Sequence, residues 1–194
     1  MPGQIVVQLL HLYTEPGDTV IDPFGGSGTT LDVAKIMGRK CMICDIAPKR
    51  KDIAKRDVVK EGLQAGNAKL VLLDPPYGQQ KKGLYTKADS DLSNMAPAKF
   101  LGAMAAILEQ AKERLEPGGR VALIVSAEKV DGVVIDTPFL LYQRALDAGL
   151  HLEERISVPY QNASSVTGYW IEHARKSRTL LRAYRDLMIF EVPK

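Results

Sequence analysis

Apolar residues recur along this chain with two different spacings, and the switches between them lay out its elements. Short apolar runs without polar alternation, at Thr19–Asp22, Lys40–Asp45, Ala68–Leu73 and Arg120–Ser126, have the length and continuity of strands covered on both faces. Helical spacing separates them. Ile5, Val6, Leu9, Leu10 and Tyr13 mark an amphipathic helix over 3–13, stopped by Glu15-Pro16-Gly17-Asp18. Thr29 to Met37 predicts a second helix, with Gly38 just past its end. Pro97 opens a long third one with the stripe Phe100, Met104, Ile107, Leu108, Ala111 and Leu115, and Pro117-Gly118-Gly119 stops it. Thr137-Pro138 starts another by N-cap and N1 logic, and Gly149 closes it. Pro48 follows the Lys40–Asp45 strand too closely for a full crossover helix, so an abbreviated link and a strand over about Ile53 to Val58 are expected. His151–Val158 and Asp186–Val192 are the last two strands. Strands alternating with helices predict an α/β domain with a largely parallel sheet.

The chemistry of the chain gathers where strands end. After Ala68–Leu73 comes Asp74-Pro75-Pro76-Tyr77. Neither proline offers an N–H and each fixes φ near −65°, so strand pairing stops and the carbonyls are free to accept hydrogen bonds. A carboxylate, a rigid carbonyl and an aromatic ring at the ligand edge of a parallel sheet suit a flat group bearing an NH2. Upstream, Asp22-Pro23-Phe24-Gly25-Gly26-Ser27-Gly28-Thr29-Thr30 takes a strand through a glycine-rich turn into a helix. Such a turn lets a ligand approach the backbone, and the amides at the helix start attract a carboxylate. It lacks the lysine of a P-loop, and Leu31 stands where a dinucleotide fingerprint has its third glycine. Asp45 lies about twenty residues beyond this turn, the spacing of a ribose-binding acid in Rossmann-like folds.

The two motifs together resemble the S-adenosylmethionine-dependent DNA methyltransferases that act on exocyclic amino groups, the adenine-N6 and cytosine-N4 family. The resemblance runs from the first helix to the last strand. It implies a Rossmann-like class I methyltransferase fold: a seven-stranded, mostly parallel sheet with an antiparallel strand near one edge, helices on both faces, and the last strand slotted between the fifth and sixth. It implies S-adenosyl-L-methionine as cofactor, held by Asp22 to Thr30 and Asp45. Asp57, at the end of the third strand, matches the position that meets the cofactor's adenine, with Asp52 competing for it. Asp74, Pro75, Pro76 and Tyr77 become the catalytic residues, with Tyr77 stacking on the base. Asp as the first of these favours adenine-N6, since cytosine-N4 members more often carry Ser there. Met1-Pro2 resembles the last residues of the motif that closes over the methionine end of the cofactor. Its His-Pro portion is missing, through a naturally short start or a lost upstream piece.

One feature of order departs from the family. The cofactor half precedes the catalytic half, whereas the branch with the nearest glycine motif has them reversed, a difference that circular permutation explains. RNA methyltransferases of the guanine-N2 type share this order and are the nearest rival; a non-catalytic subunit that binds cofactor and nucleic acid is another.

Composition narrows the picture. With 194 residues, 45% of them hydrophobic, the chain suits one well-buried domain over 1–194 with no separate target-recognition domain. No apolar stretch approaches ~20 residues and no signal pattern opens the chain, so a cytoplasmic protein without membrane attachment is expected. Cys41 and Cys44 fall on opposite faces of a strand, and His11, His151 and His173 have no ligand spacing, so no metal is expected. A net charge of +3 is mild, but the basic residues cluster. Lys49, Arg50, Lys51, Lys55 and Arg56 read as a solvated face. Lys81, Lys82 and Lys87, and then Arg175, Lys176, Arg178, Arg182 and Arg185, read as phosphate contacts. The polar stretch Gly78 to Ala96, with Tyr85, reads as a mobile flap over substrate. Pro159 to Tyr184, with Tyr160, Tyr169 and Trp170, has the aromatic-plus-arginine chemistry of a nucleic-acid surface. DNA is expected as the partner in preference to RNA, bound weakly and with short or relaxed sequence preference unless a partner protein or second subunit supplies recognition.

Overall fold

The computed structural model describes residues 1–76, 83, 86–130, 132–159, 168–178 and 184–193, without the side chains of 130, 168–170, 173 and 177. Tyr77, Lys81, Lys82, Tyr85, Tyr160 and Arg182, and the side chains of Tyr169 and Trp170, therefore lie outside the described residues.

In chain order the elements are α1 (Gly3–Tyr13), β1 (Thr19–Asp22), α2 (Thr29–Ile36), β2 (Lys40–Asp45), β3 (Ala54–Lys55), α3 (Val58–Glu61) and β4 (Ala68–Leu73). There follow α4 (Pro97–Glu113), β5 (Leu115–Val125), β6 (Glu128–Val130), β7 (Val133–Ile135), α5 (Thr137–Asp147), β8 (His151–Pro159), α6 (Gly168–Ser177) and β9 (Tyr184–Glu191). Seven strands form one sheet in the order β3-β2-β1-β4-β5-β9-β8, and β6 and β7 form a separate hairpin. β3, β2, β1, β4 and β5 run parallel, while β9 is antiparallel to both β5 and β8. The last strand thus slots between β5 and β8, as expected, and the sheet order turns at β1 and β4. Ligands of open α/β sheets bind outside the carboxyl ends of strands at such a switch point.

Period-two alternation divides the core. Ile21, Val71, Leu73, Val121, Leu123 and Met188 face α4 and α5, which contribute Phe100, Met104, Ile107, Leu108 and Leu141. Val20, Leu70, Leu72, Ala122, Ile124 and Ile189 face α1 and α2 through Val6, Leu9, Leu10 and Ala34. Burying such side chains is worth about 1.5–3 kcal/mol each, which is why the central runs carry no polar alternation.

Several boundaries move, each for a local reason. β3 covers two residues, and Asp57 is not on it: its carboxylate caps α3, accepting from the Lys60 amide. Leu115 opens β5 instead of closing α4; Pro117-Gly118-Gly119 is absorbed where the pairing jumps from Ala68–Leu115 to Leu70–Arg120. Asp136, one residue before Thr137, caps α5 by accepting from the Phe139 amide. Gly38 and Gly149 do end their helices at positive φ, 74° and 78°. The β6–β7 hairpin and α6 carry short patterns that the sequence reading passed over.

Candidate active site

A cavity of about 190 Å³ opens at the carboxyl edge of the sheet. Its walls include Asp22 at the end of β1, the turn residues Pro23 to Ser27, Thr29 and Thr30, Asp45 at the end of β2, and Asp74 and Pro76 after β4. The strand pairs Val20–Cys41 and Val20–Leu70 set the three strands side by side, so the three carboxylates converge because their strands end together.

The glycine turn is fixed from two sides. Asp45 accepts from the Gly26 amide at 2.8 Å and, through its other oxygen, from the Ala47 amide at 2.8 Å. Arg50 spans the outside, bonding Asp32 at 2.7 Å and Asp52 at 2.7 Å, with Nη1 3.4 Å from the Ser27 carbonyl. Asp52 is thereby engaged away from the cavity wall, and the expectation that the Lys49–Arg56 cluster is a plain solvated face is corrected: Arg50 is a clamp. Arg56, which borders the cavity, donates to the carbonyls of Gly62 and Glu61. Gly25 and Gly28 are required as glycines. A Cβ at Gly25 would lie 2.5 Å from Ile43 and 3.1 Å from the Cys44 carbonyl, and Gly28 sits at φ 88° with Arg50 2.6 Å from a Cβ position.

Asp22 is buried and accepts from the Phe24 amide at 2.9 Å and from Thr30. Burial pushes its carboxyl up from 3.8 to about 6, against the lowering effect of these hydrogen bonds. Asp74 accepts contacts from two cations: the Met1 amino group at Oδ2 and Arg185 Nη1 at Oδ1, 3.5 Å away. Arg185 therefore points into the site rather than out to a phosphate, a correction to its placement in the basic cluster. Arg175, Lys176 and Arg178 lie exposed on and after α6, with Lys176 3.6 Å from Glu172.

The described part of the expected flap is an ordered loop. Buried Asp91 accepts from the amide and hydroxyl of Thr86 and from those of Ser93. Asn94 donates to the carbonyls of Thr86 and Ala88. Ser90 donates to Asp57 at 2.5 Å, joining this loop to the α3 cap, and Asp57, Ser90, Asp91 and Leu92 all border the cavity. Sequence reasoning missed Ser90 and Asp91 and gave Arg56 and Arg185 other roles; the Asp-x-Ser spacing of an Asx turn at 91–93 was the available signal for Asp91. Cys41 and Cys44 are free thiols that burial pushes up to about 12 and about 11. Among the described residues no group of His, Cys, Asp or Glu is arranged to hold a metal, and no helix is long and apolar enough to cross a membrane.

Sheet order, antiparallel β9 and a glycine turn at the switch point define a class I methyltransferase fold, as solved structures bear out. A methyltransferase from Pyrococcus furiosus superposes over 100% of this chain and 84% of its own, with a TM-score of 0.56 at 15% identity. The 1,6-didemethyltoxoflavin-N1-methyltransferase of Burkholderia thailandensis covers 99% of this chain and 78% of its own, with a TM-score of 0.62 at 13% identity. TrmN from Thermus thermophilus covers 98% of this chain and 48% of its own, with a TM-score of 0.58 at 21% identity. Within that class, residues 1–56, which carry the glycine turn and Asp45, match the N6/N4 DNA methylase family, so the resemblance read from the motifs is borne out there. The type II methyltransferase M.BamHI of Bacillus amyloliquefaciens is 30% identical over 79 residues, 41% of this chain and 17% of that protein's length.

Proposed function

We propose that the protein is an S-adenosylmethionine-dependent methyltransferase acting on an exocyclic amino group of a nucleobase, adenine N6 in DNA foremost. The observation that carries this is the convergence of Asp22, Asp45 and Asp74 on one cavity whose floor is the glycine turn. The cradle fits the cofactor chemically. Gly25 and Gly28 let the turn pack directly against Ile43, the Cys44 carbonyl and Arg50, Asp22 offers a buried carboxylate to an ammonium, and Asp45 keeps lone pairs for ribose hydroxyls beyond its two amide bonds. When bound, S-adenosylmethionine supplies the methyl group.

The chain's own residues then handle the amine. An aromatic amine is a poor nucleophile because its lone pair is delocalised into the ring. Asp74 and the Pro75 carbonyl accept its two hydrogens and favour a pyramidal nitrogen aimed at the cofactor. The displaced amine proton leaves to water after the N–C bond forms, and no covalent enzyme intermediate is needed. Since the amine is paired and stacked in a duplex, the base is flipped out or starts single-stranded.

The guanine-N2 reading in RNA draws on two observations: the proposed cofactor strand β1 precedes the proposed catalytic strand β4, and the family match ends before Asp74. Nucleoside mass spectrometry after incubation with labelled cofactor and, separately, DNA and RNA decides. N6-methyladenine in DNA is expected; N2-methylguanine confined to RNA would replace this reading by the second. No methylation of either, with cofactor binding intact, would leave a binding subunit.

A further inference from the structure

We propose that Arg185 is a positioning residue of the reaction, holding the Asp74 carboxylate by Oδ1 so that Oδ2, which takes the Met1 amino group in this structure, is presented to the base amine in its place. This deepens the reading of Asp74 given above and rests on it. The contact is direct: Arg185 Nη1 lies 3.5 Å from Asp74 Oδ1, with the two side chains only 16% and 21% exposed. At that burial an ion pair is screened far less than on the surface. The two carboxylate oxygens are divided between different neighbours. Oδ1 faces Arg185, while Oδ2 takes the amino group of Met1, a residue that borders the cavity.

Strand direction explains why a residue near the end of the sequence reaches this place. β9 runs antiparallel to β5, so its first residues arrive at the edge where the parallel strands end. Val125 pairs with Asp186, which sets Arg185 one step beyond the end of β5. Leu73 pairs with Leu123, which sets Asp74 beside that same edge. Along β4, Leu70 and Leu72 face α1 and α2, and along β9, Leu187 and Ile189 do so. Alternation by two carries Asp74 and Arg185 to that face as well. An aspartate at a strand end can rotate its carboxyl group freely. The planar, always-charged guanidinium restricts that rotation, which a neutral side chain cannot do and an ammonium does less well.

The test is a double-mutant cycle with Arg185→Gln, Asp74→Asn and the pair, read in kcat, in KM for a single-stranded oligonucleotide, and in the oligonucleotide Kd with S-adenosylhomocysteine present. In the native background Arg185→Gln is expected to lower kcat roughly 10- to 100-fold and to leave the cofactor Kd within twofold. In the Asp74→Asn background the same substitution should change kcat and Kd less than twofold, because there is no carboxylate left to hold. Arg185→Lys should recover part of the loss, and it carries the test should Arg185→Gln melt early. Equal losses in both backgrounds, in either readout, would make Arg185 a structural residue and overturn the proposal; so would full activity of Arg185→Gln. If Asp74→Asn and Asp74→Ala were both fully active, the reading of Asp74 would fail instead, a different result from an additive cycle.

Discussion

The proposed cofactor side and the proposed acceptor side of the cavity are built in opposite ways. The turn Asp22 to Thr30 is local: its residues are consecutive, its conformation is set by glycines, and the groups that pin it, Asp45 and Arg50, follow at the end of β2 and in the link to β3. The acceptor side is assembled from afar. Asp74 follows β4 and Arg185 comes from β9. A locally coded cradle keeps its shape when one distant contact is lost, whereas a site assembled from separate strands concentrates its sensitivity in the carboxylate at which they meet.

The largest break in this contrast is expected at Asp74. Asp74→Ala should lower methyl transfer by at least ~10³-fold, since it removes both an acceptor and the orientation of the amine, while calorimetry finds cofactor binding within a few-fold of native. Asp74→Asn should retain some turnover through its amide oxygen. Loss of cofactor binding in Asp74→Ala would erase the division between the two sides.

That division also decides what the sequence made legible. Glycines at Gly25 and Gly28, strand-end acids and Pro75-Pro76 act through backbone geometry or through neighbours in the chain, so their pattern alone pointed to the strand ends that border the cavity. Arg185 sits in a basic run that looks like a phosphate contact, and only the antiparallel placement of β9 turns it inward. Asp57 failed as a strand-end residue because β3 is two residues long and the acid was needed as a helix cap. The polar stretch before α4 lacked periodicity because its order comes from side chains of Asp91 and Asn94 bonding back to the loop, not from a repeating element. The seven-strand order followed from the resemblance; the apolar pattern showed strands but not their neighbours.

On the cofactor side the expected losses are smaller and fall on binding. Asp45→Ala removes the acceptor of the Gly26 amide together with the proposed ribose contact. A weakening of ~10- to 100-fold in cofactor Kd is expected from the lost ribose contact together with the loosening of the turn, whose Gly26 and Ala47 amides lose their acceptor, a single hydrogen bond being worth roughly 0.5–1.5 kcal/mol net. Retained kcat at saturating cofactor separates it from Asp74→Ala; a kcat collapse with unchanged Kd would show that Asp45 belongs to the acceptor side.

Asp22 sharpens the comparison through pH. Its carboxyl ionises at about 6 in the folded protein, against an ordinary value of 3.8, because burial disfavours the charge. The folded state therefore binds the proton more tightly than the unfolded chain. The buried charge costs nothing below pH about 4, and its cost grows as pH rises through about 6, reaching on the order of 3 kcal/mol for a two-unit shift. Asp22→Asn should thus raise the melting temperature at pH 8 while weakening cofactor binding about tenfold, the worth of roughly one charge-assisted contact. In the native protein, affinity should fall as pH drops below about 6, and the asparagine variant should lose that dependence. A titration by calorimetry at pH 5, 6 and 8 measures both; equal pH slopes for the two proteins would remove Asp22 from the ammonium site.

The smallest effect is expected on α6, none of whose residues is among those that line the cavity. Arg175, Lys176 and Arg178 are exposed there, and Lys176 already has Glu172 within 3.6 Å. Exposed lysines and arginines that meet a backbone act through counterion release, which is independent of base sequence. Replacing all three by Ala should weaken binding only a few-fold at physiological salt, alike for all sequences, and should reduce the slope of log K against log salt by up to about 2–3 for three duplex phosphate contacts. Lys176 contributes least to that change, because its ammonium must leave Glu172 to reach a phosphate. The turnover of oligonucleotide already bound should be unaltered, since no α6 residue is needed to orient the amine. A loss confined to one sequence would mean that α6 reads base edges, and an unchanged salt slope would place the nucleic acid on another face of the sheet.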